Sequence, residues 1–380
     1  MEIEQLSEHI DVKKYLSRLG VDEGGIAIMA TKAKQHILYI RNLHVGAANI
    51  LKQDALSIGA DLAVPRGTVI AAQKHVDCIL FATQKQLALL ARKELAQPFG
   101  LKDVARELKQ ISKIKKSKSV ALMGVFNAND DSFYSSSRIG EKNILTAIST
   151  MIADGADIID IGGVSSRPNS LSVSADDELE RVRDVINCVR THKLHEKARF
   201  SLDSYTPKVI SYALDAGFSI INDITGLSDD EVCKLCASYK ATAVIMHMQG
   251  TPQSMQENPI YEHILTDISG FFEERIERAE SFGVEDIILD VGIGFGKTLE
   301  HNLALIKHHK HFTKFNKPLL VGASRKSMIN SIVPSTIEER LAGTLAIHLE
   351  AVNNGASIIR AHDVKEHYQA LKVKEAIDNF

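Results

Sequence analysis

Residues 199–224 read RFSLDSYTPKVISYALDAGFSIINDI, and this stretch decides the fold. RFSLD and SIINDI are short and strongly apolar, the pattern of strands buried on both faces of a parallel sheet. Between them Thr206 precedes Pro207, a helix start, and Gly217 closes the segment as a helix C-cap. One strand, one helix and the next strand therefore follow in order. The same unit recurs outward in both directions: VALMGVFN (120–127), DIIDIGG (157–163), TAVIMH (242–247), DIILD (286–290), KPLLVGASRK (317–326) and SIIRAH (357–362). Gly155, Gly283 and Gly355 repeat the closing glycine, and Ser174/Asp177, Ser228/Glu231 and Ser335/Glu338 give capping-box patterns. About eight βα units over roughly 260 residues predict a TIM barrel, with chemistry at the C-terminal ends of the strands.

Residues 1–110 leave this repeat and predict a small additional α+β module. GIAIMAT and HILYI read as a hairpin, AANILKQDALSIGA as a helix, TVIAAQ and VDCILFAT as strands, and QLALLARKELA as a second helix. Residues 111–118, the core of a Lys-rich run that begins at Lys109, read as a basic linker, and 119–380 as the barrel.

The chain has 380 residues and a formal net charge of −3. That balance gives no general attraction to nucleic acid or an anionic membrane, so any anion site must be local. No apolar run approaches the roughly 18 to 20 residues that span a bilayer, and the acidic start MEIEQLSEHI is unlike a signal peptide, which predicts a soluble cytoplasmic protein. The cysteines number four; the pair Cys233 and Cys236 lies in a predicted helix and reads as packing.

The strand ends sort by chemistry. Asp203, Asn222 and Asp290 end three different strands and can converge in the barrel mouth, where two carboxylates and an amide suit a planar heterocycle rich in N–H donors. Lys326, Arg360, His362 and Arg167 form a cationic set. Arg360 and His362 lie two apart on an extended run, at the usual phosphate site of this fold, and GASRKS adds backbone N–H groups at a helix start. Asn127 offers a hard amide oxygen to Mg²⁺, and the polar loop NDDSFYSSSR after it has the composition of a lid. GIGFGKT is not a P-loop, because Val291 stands where that pattern needs glycine, and His247 reads as a structural hydrogen-bonder.

Taken together, MGVFNANDDSF, DIGGVSSRPNS, SLDSY, IINDI, MHMQGTP, ILDVGIGFGKT, VGASRKS and IIRAHD occur in an order that resembles the dihydropteroate synthase family, in its longer form with an N-terminal extension. The resemblance covers about residues 119–378. It implies a TIM-barrel transferase that joins a dihydropterin diphosphate to p-aminobenzoate with Mg²⁺ and releases pyrophosphate, usually as a homodimer and a sulfonamide target. By position, Asp203, Asn222, Asp290 and Lys326 would hold the pterin; Asn127, Arg360 and His362 the diphosphate and its metal. Ser166, Arg167, Pro168 and Ser324 would border p-aminobenzoate. Lys326, Arg360, His362 and Arg167 would carry the catalysis. Departures from the family pattern stand at Asn129, Asp130, Val164, Ser166 and Val291, and in Tyr134–Ser137. The nearest alternative, a corrinoid-dependent pterin methyltransferase, has no diphosphate to neutralise and so no use for Lys326 with Arg360 and His362. A non-catalytic pterin-binding module sits poorly with an intact Asn127.

Overall fold

The computed structural model describes residues 3–4, 6–7, 10–112, 119–128, 137–164 and 173–379, without the side chains of 137–139. Ser166, Arg167, Pro168, Asn129, Asp130, Tyr134–Ser136 and most of the basic run lie outside the described residues. Two compact units are present: Met1–Lys115 with Glu375–Phe380, and Lys116–Lys374.

In the first unit, strands β1 (Gln35–His44), β2 (Asp61–Ala63) and β3 (His75–Thr83) form an antiparallel sheet in the order β1-β3-β2. Helices Val45–Ser57, Gln84–Lys93 and Leu101–Ser112 contribute Leu51, Leu87, Leu90 and Leu108 to a core with Leu62 and Leu80. Three expectations change here. GIAIMAT belongs to a helix, Glu23–Ala33, rather than a hairpin arm, because its Ala and Met are good helix formers and Glu23 sits in its first turn. TVIAAQ is a set of turns: Pro65 and Gly67 (φ +89°) bend the chain, Ala72 N–H bonds back to Gly67, and Val69 and Ile70 are left exposed. Residues 109–112 finish a helix instead of starting a linker.

The second unit is a closed barrel of eight parallel strands, one for each apolar run: β4 (Ala121–Asn127), β5 (Ile158–Gly162), β6 (Arg199–Asp203), β7 (Ile220–Asp223), β8 (Thr242–Met246), β9 (Ile287–Asp290), β10 (Leu319–Val321) and β11 (Ile358–Ala361). Every neighbouring pair is parallel, and β11 closes on β4. Outward side chains such as Ile159, Phe200, Leu202, Ile221 and Leu289 pack under the helices. Gly155, Gly217, Gly283 and Gly355 all have positive φ, as C-capping requires. Ser174 caps its helix by accepting from Asp177 N–H, whereas the next cap falls one residue late, at Asp229. The Ser335 pattern opens no α-helix: Thr336 N–H bonds to Glu339, and Glu338–Arg340 is a 3₁₀ turn.

Inside the barrel, Met123, Ile158, Ile220, Val244, Ile288, Leu320 and Ile358 form an apolar plug. Strand periodicity places the residue two positions on at the same face, one layer higher. That layer is Val125, Asp160, Asn222, Met246, Asp290, Gly322 and Arg360, with Asp203 entering two places after Ser201. Sequence alternation thus builds a dry plug and sets a polar floor directly on it.

Candidate active site

The floor is organised around one cation. Arg360 donates from Nε to Asp160 Oδ2 at 2.7 Å and from Nη2 to Asp203 Oδ2 at 2.8 Å. Asn222 Nδ2 donates to the same Asp160 oxygen at 3.1 Å, and Asp203 lies beside Asn222 in the β6–β7 register. Arg360 therefore belongs to the heterocycle floor as much as to an anion clamp, although residue chemistry alone separates the two groups. Two of the guanidinium's five N–H donors are used, which fixes its plane. Asp160, fully buried, escapes the sequence reading because DIIDIGG is so apolar; its signal is the two-residue step from Ile158. Asp223 next to Asn222 faces the other way and accepts from Thr225 N–H and Leu227 N–H, a loop anchor.

Burial dominates the titration of this layer. It pushes the Asp203 carboxyl up to about 7, with Arg360 opposing and Asp160 adding to the rise. Burial also raises Asp290, opposed by the Gly292 N–H that donates to its Oδ1 at 2.8 Å and by Lys326 and Lys297. Lys326 is pushed down to about 8 by burial, partly held up by Asp290. Its ammonium donates to the Ile293 carbonyl and stands 4.1 Å from the centre of the Phe295 ring. A polar layer set in apolar walls, with the Asp203 carboxyl raised to about 7 and the Lys326 ammonium lowered to about 8, is the setting expected of a binding site for a donor-rich heterocycle.

The GIGFGKT string has a structural explanation. Gly292 (φ +67°) runs so close to β8 that a side chain there would meet the His247 carbonyl oxygen at 2.0 Å. Gly296 (φ +60°) likewise passes the Gln249 carbonyl oxygen, at 2.6 Å. Lys297, 4% exposed, then turns beneath this loop. Its ammonium donates to the carbonyls of His247 (3.2 Å) and Phe295 (2.8 Å) and bonds His247 Nδ1 at 3.0 Å. His247 is thus a structural partner with its pKa pushed down to about 3 by burial and Lys297. Lys297 ties the ends of β8 and β9 together under Asp290, a role hidden in sequence by the resemblance to a phosphate loop. Val291 packs into the core outside the barrel.

At the ends of β10 and β11, Ser324 Oγ lies 2.9 Å from His362 Nδ1 and accepts from His362 N–H at 3.3 Å. One hydroxyl therefore contacts both the ring and the backbone of His362 and orients the imidazole. Arg325 makes a two-point ion pair with Asp363. Three of the GASRKS backbone N–H groups are already engaged: Ala323 N–H goes to His348, Arg325 N–H to Thr344 and Lys326 N–H to Ala323 O. The helix they precede, Ser327–Ile332, is only six residues long. Asn127 ends β4 exposed at the rim, opposite Gly162 in register. Cys233 and Cys236 are buried, with both thiols pushed up by burial, Cys236 to about 12. Among the described residues no helix is long and apolar enough to cross a membrane.

A barrel with this floor defines a pterin-binding enzyme, and the family of that description matches residues 123–362. The relatives narrow it. The bifunctional dihydropteroate synthase/dihydropteroate reductase of Helicobacter pylori is 41% identical, covering 97% of this chain and 97% of its own. The dihydropteroate synthase of Escherichia coli is 40% identical over 67% of this chain and 90% of its own. The solved dihydropteroate synthase of Thermus thermophilus in complex with 4-aminobenzoate superposes with a TM-score of 0.61, at 36% identity, over 68% of this chain and 95% of its own. The chain belongs to the dihydropteroate synthase family, whose reaction is transfer of a pterin group to p-aminobenzoate.

Proposed function

We propose that the floor holds the ring of 6-hydroxymethyl-7,8-dihydropterin diphosphate through Asp203, Asn222, Asp290 and Lys326, with Asp160 beneath it. The observation that carries this reading is the single guanidinium tying Asp160 and Asp203 into one layer on the apolar plug. Carboxylates accept from the ring N–H and amino groups, and the Lys326 ammonium meets the ring carbonyl. Asp160 Oδ1 and Ser201 Oγ are buried without a partner, which leaves polar capacity for a ring or a water between.

Arg360 and His362 Nε2 would take the diphosphate. Among the described residues no three His, Cys, Asp or Glu side chains are placed to hold a metal. That fits Mg²⁺ held by the Asn127 amide oxygen with water and diphosphate, an arrangement this ion accepts. Mg²⁺ would neutralise the leaving group. Loss of diphosphate breaks the methylene C–O bond, with the electron pair leaving on oxygen. The resulting cation delocalises into the ring, and the arylamine lone pair forms the new C–N bond before its proton passes to solvent. Ser166, Arg167, Pro168 and Ser324 would border the arylamine. In Ser324 the hydroxyl already orients His362, so one side chain would serve both substrates. We place this reaction in the cytoplasm, in a homodimer, with sulfonamides competing for the p-aminobenzoate position.

The pH profile tests the reading. Asp203 must be ionised to accept from the ring, so kcat/KM for the pterin substrate is expected to fall about tenfold per pH unit below about 7. It should fall again above about 8 as Lys326 loses its proton. Asp203→Asn should remove the acid limb along with most of the activity. A flat profile through this range would contradict the assignment.

A second reading concerns the first unit. The H. pylori relative, named for a reductase activity as well, matches nearly the whole chain, whereas the E. coli synthase matches about two thirds. We propose that the unit containing residues 1–115 serves reduction of dihydropteroate by a nicotinamide or reduced-flavin donor. Donor oxidation by the full chain on adding dihydropteroate would support this; its absence with both donors would reject it.

A further inference from the structure

Arg325 has φ +57°, in the left-handed region that a non-glycine residue occupies only when its surroundings hold it there. It lies between Ser324, which orients His362, and Lys326, so the strain sits inside the anion-facing loop. Thr344 and Arg340 fix Arg325 itself: its N–H bonds Thr344 Oγ1 at 3.0 Å and its carbonyl accepts from Arg340 at 3.0 Å. What holds the residue before Ser324 is less ordinary. Ala323 N–H donates to His348 Nε2 at 3.0 Å; His348 Nδ1 lies 2.8 Å from His367 Nε2; His367 Nδ1 lies 2.6 Å from the Asp363 carbonyl.

The proton positions in this chain follow from its ends. A backbone N–H can only donate, so His348 Nε2 is an acceptor and its proton is on Nδ1. That proton goes to His367 Nε2, whose ring then carries its own proton on Nδ1, pointed at a carbonyl that can only accept. Both rings are neutral, and both are 1% exposed. His348 lies on helix Leu341–Asn353, which precedes β11, and His367 on Val364–Asp378, which follows it.

We infer that the His348–His367 pair is a positioning device for the diphosphate clamp, locking the β10 loop to the β11 loop so that Ser324, His362 and Arg325–Asp363 keep their places. Neither ring touches substrate. The pair holds Ala323 on one loop and Asp363 on the other, and the Ser324–His362 contact spans the gap between them. The carboxylates and amide of the pterin floor are held separately, by Arg360 and the strand register, and the Lys326 ammonium, though carried by the β10 loop, is held by the Ile293 carbonyl and the Phe295 ring. Loss of the relay should therefore weaken anion binding selectively.

The inference rests on the reading that this loop pair takes the diphosphate, and one calorimetric experiment distinguishes the two. Inorganic pyrophosphate with Mg²⁺ and 6-hydroxymethyl-7,8-dihydropterin without diphosphate are titrated separately into wild type, His348→Leu, His367→Leu and His367→Gln. Pyrophosphate affinity should fall about tenfold in both leucine variants, a size common for residues that orient a binding group. Affinity for the diphosphate-free pterin should stay within about twofold of wild type. Glutamine can accept from His348 Nδ1–H and donate to the Asp363 carbonyl, so His367→Gln should recover most of the pyrophosphate affinity. If His348→Leu fails to fold, the His367→Leu and His367→Gln pair decides. A wild-type chain with no pyrophosphate affinity overturns the clamp reading and the relay with it. Wild-type affinity kept in the leucine variants, or equal loss of both ligands, overturns the relay alone.

Discussion

Replacing Arg360 with methionine is expected to lower kcat/KM by about a thousandfold and to destabilise the fold as well. The catalytic part follows from removing the cation that aligns two carboxylates and, in the proposed site, would face the leaving group; a single donor aimed at developing charge is commonly worth a hundred- to thousandfold. The stability part follows from burial. Asp160 is fully buried and Asp203 nearly so, and both lose their ion-pair partner. Stranding buried charge in this way costs about 3 to 5 kcal/mol. The sign of the pH effect follows. Without Arg360 the Asp203 carboxyl rises further above its unfolded value, so the folded state holds an extra proton and gains stability as the pH falls through 7. Chemical denaturation of Arg360→Met should show its deficit at alkaline pH and a partial recovery on mild acidification. Adding Asp160→Asn removes one stranded charge and should restore stability without restoring turnover. An Arg360→Met enzyme as stable as wild type at every pH would mean that the Asp160–Arg360–Asp203 arrangement is not what holds the floor.

Lys326→Met should behave differently: activity falls about a hundredfold or more, while stability changes by less than about 1 kcal/mol. The methionine keeps an apolar stem along Phe295, and the buried ammonium that burial already disfavours is removed. Asp290 keeps its Gly292 N–H and Lys297. The loss should appear chiefly in affinity for the pterin substrate. Lys326→Arg is not expected to rescue it. The lysine Cδ would lie 2.9 Å from a Cβ placed at Gly294, so the slot fits a narrow chain and not a planar fork. Kinetics with each substrate varied in turn, together with thermal unfolding, separates Lys326 from Arg360: one variant loses activity alone, the other loses activity and stability.

The barrel was legible because each strand is buried on both faces and so appears as an unbroken apolar run that ends on a polar stop and, for β5, β7, β9 and β11, begins after a glycine C-cap. All eight runs are strands. Asp203, Asn222 and Asp290 were visible as polar stops on different strands, and Arg360 and His362 as neighbours at the last one. What pattern reading cannot give is which partner a charged side chain chooses. Arg360 was read with the diphosphate clamp, yet its nearest partners are floor carboxylates, because the strand order places β11 beside β4 and two strands from β5. Asp160 was hidden inside an apolar string. Lys297 was hidden by a loop whose glycines serve close backbone packing instead of phosphate contact. The first unit was read less well, since short half-exposed segments such as GIAIMAT and TVIAAQ carry no period strong enough to separate helix, strand and turn.

In the proposed reaction one floor and one clamp lead to loss of diphosphate and attack by the arylamine. Pyrophosphate and dihydropteroate measured together from one reaction of the full chain with the dihydropterin diphosphate, p-aminobenzoate and Mg²⁺ test it most directly. Equal amounts of the two products are expected, none when a chelator removes the metal, and recovery on adding Mg²⁺. Pterin substrate that binds without releasing pyrophosphate, or products that form at an unchanged rate in the presence of chelator, would contradict it.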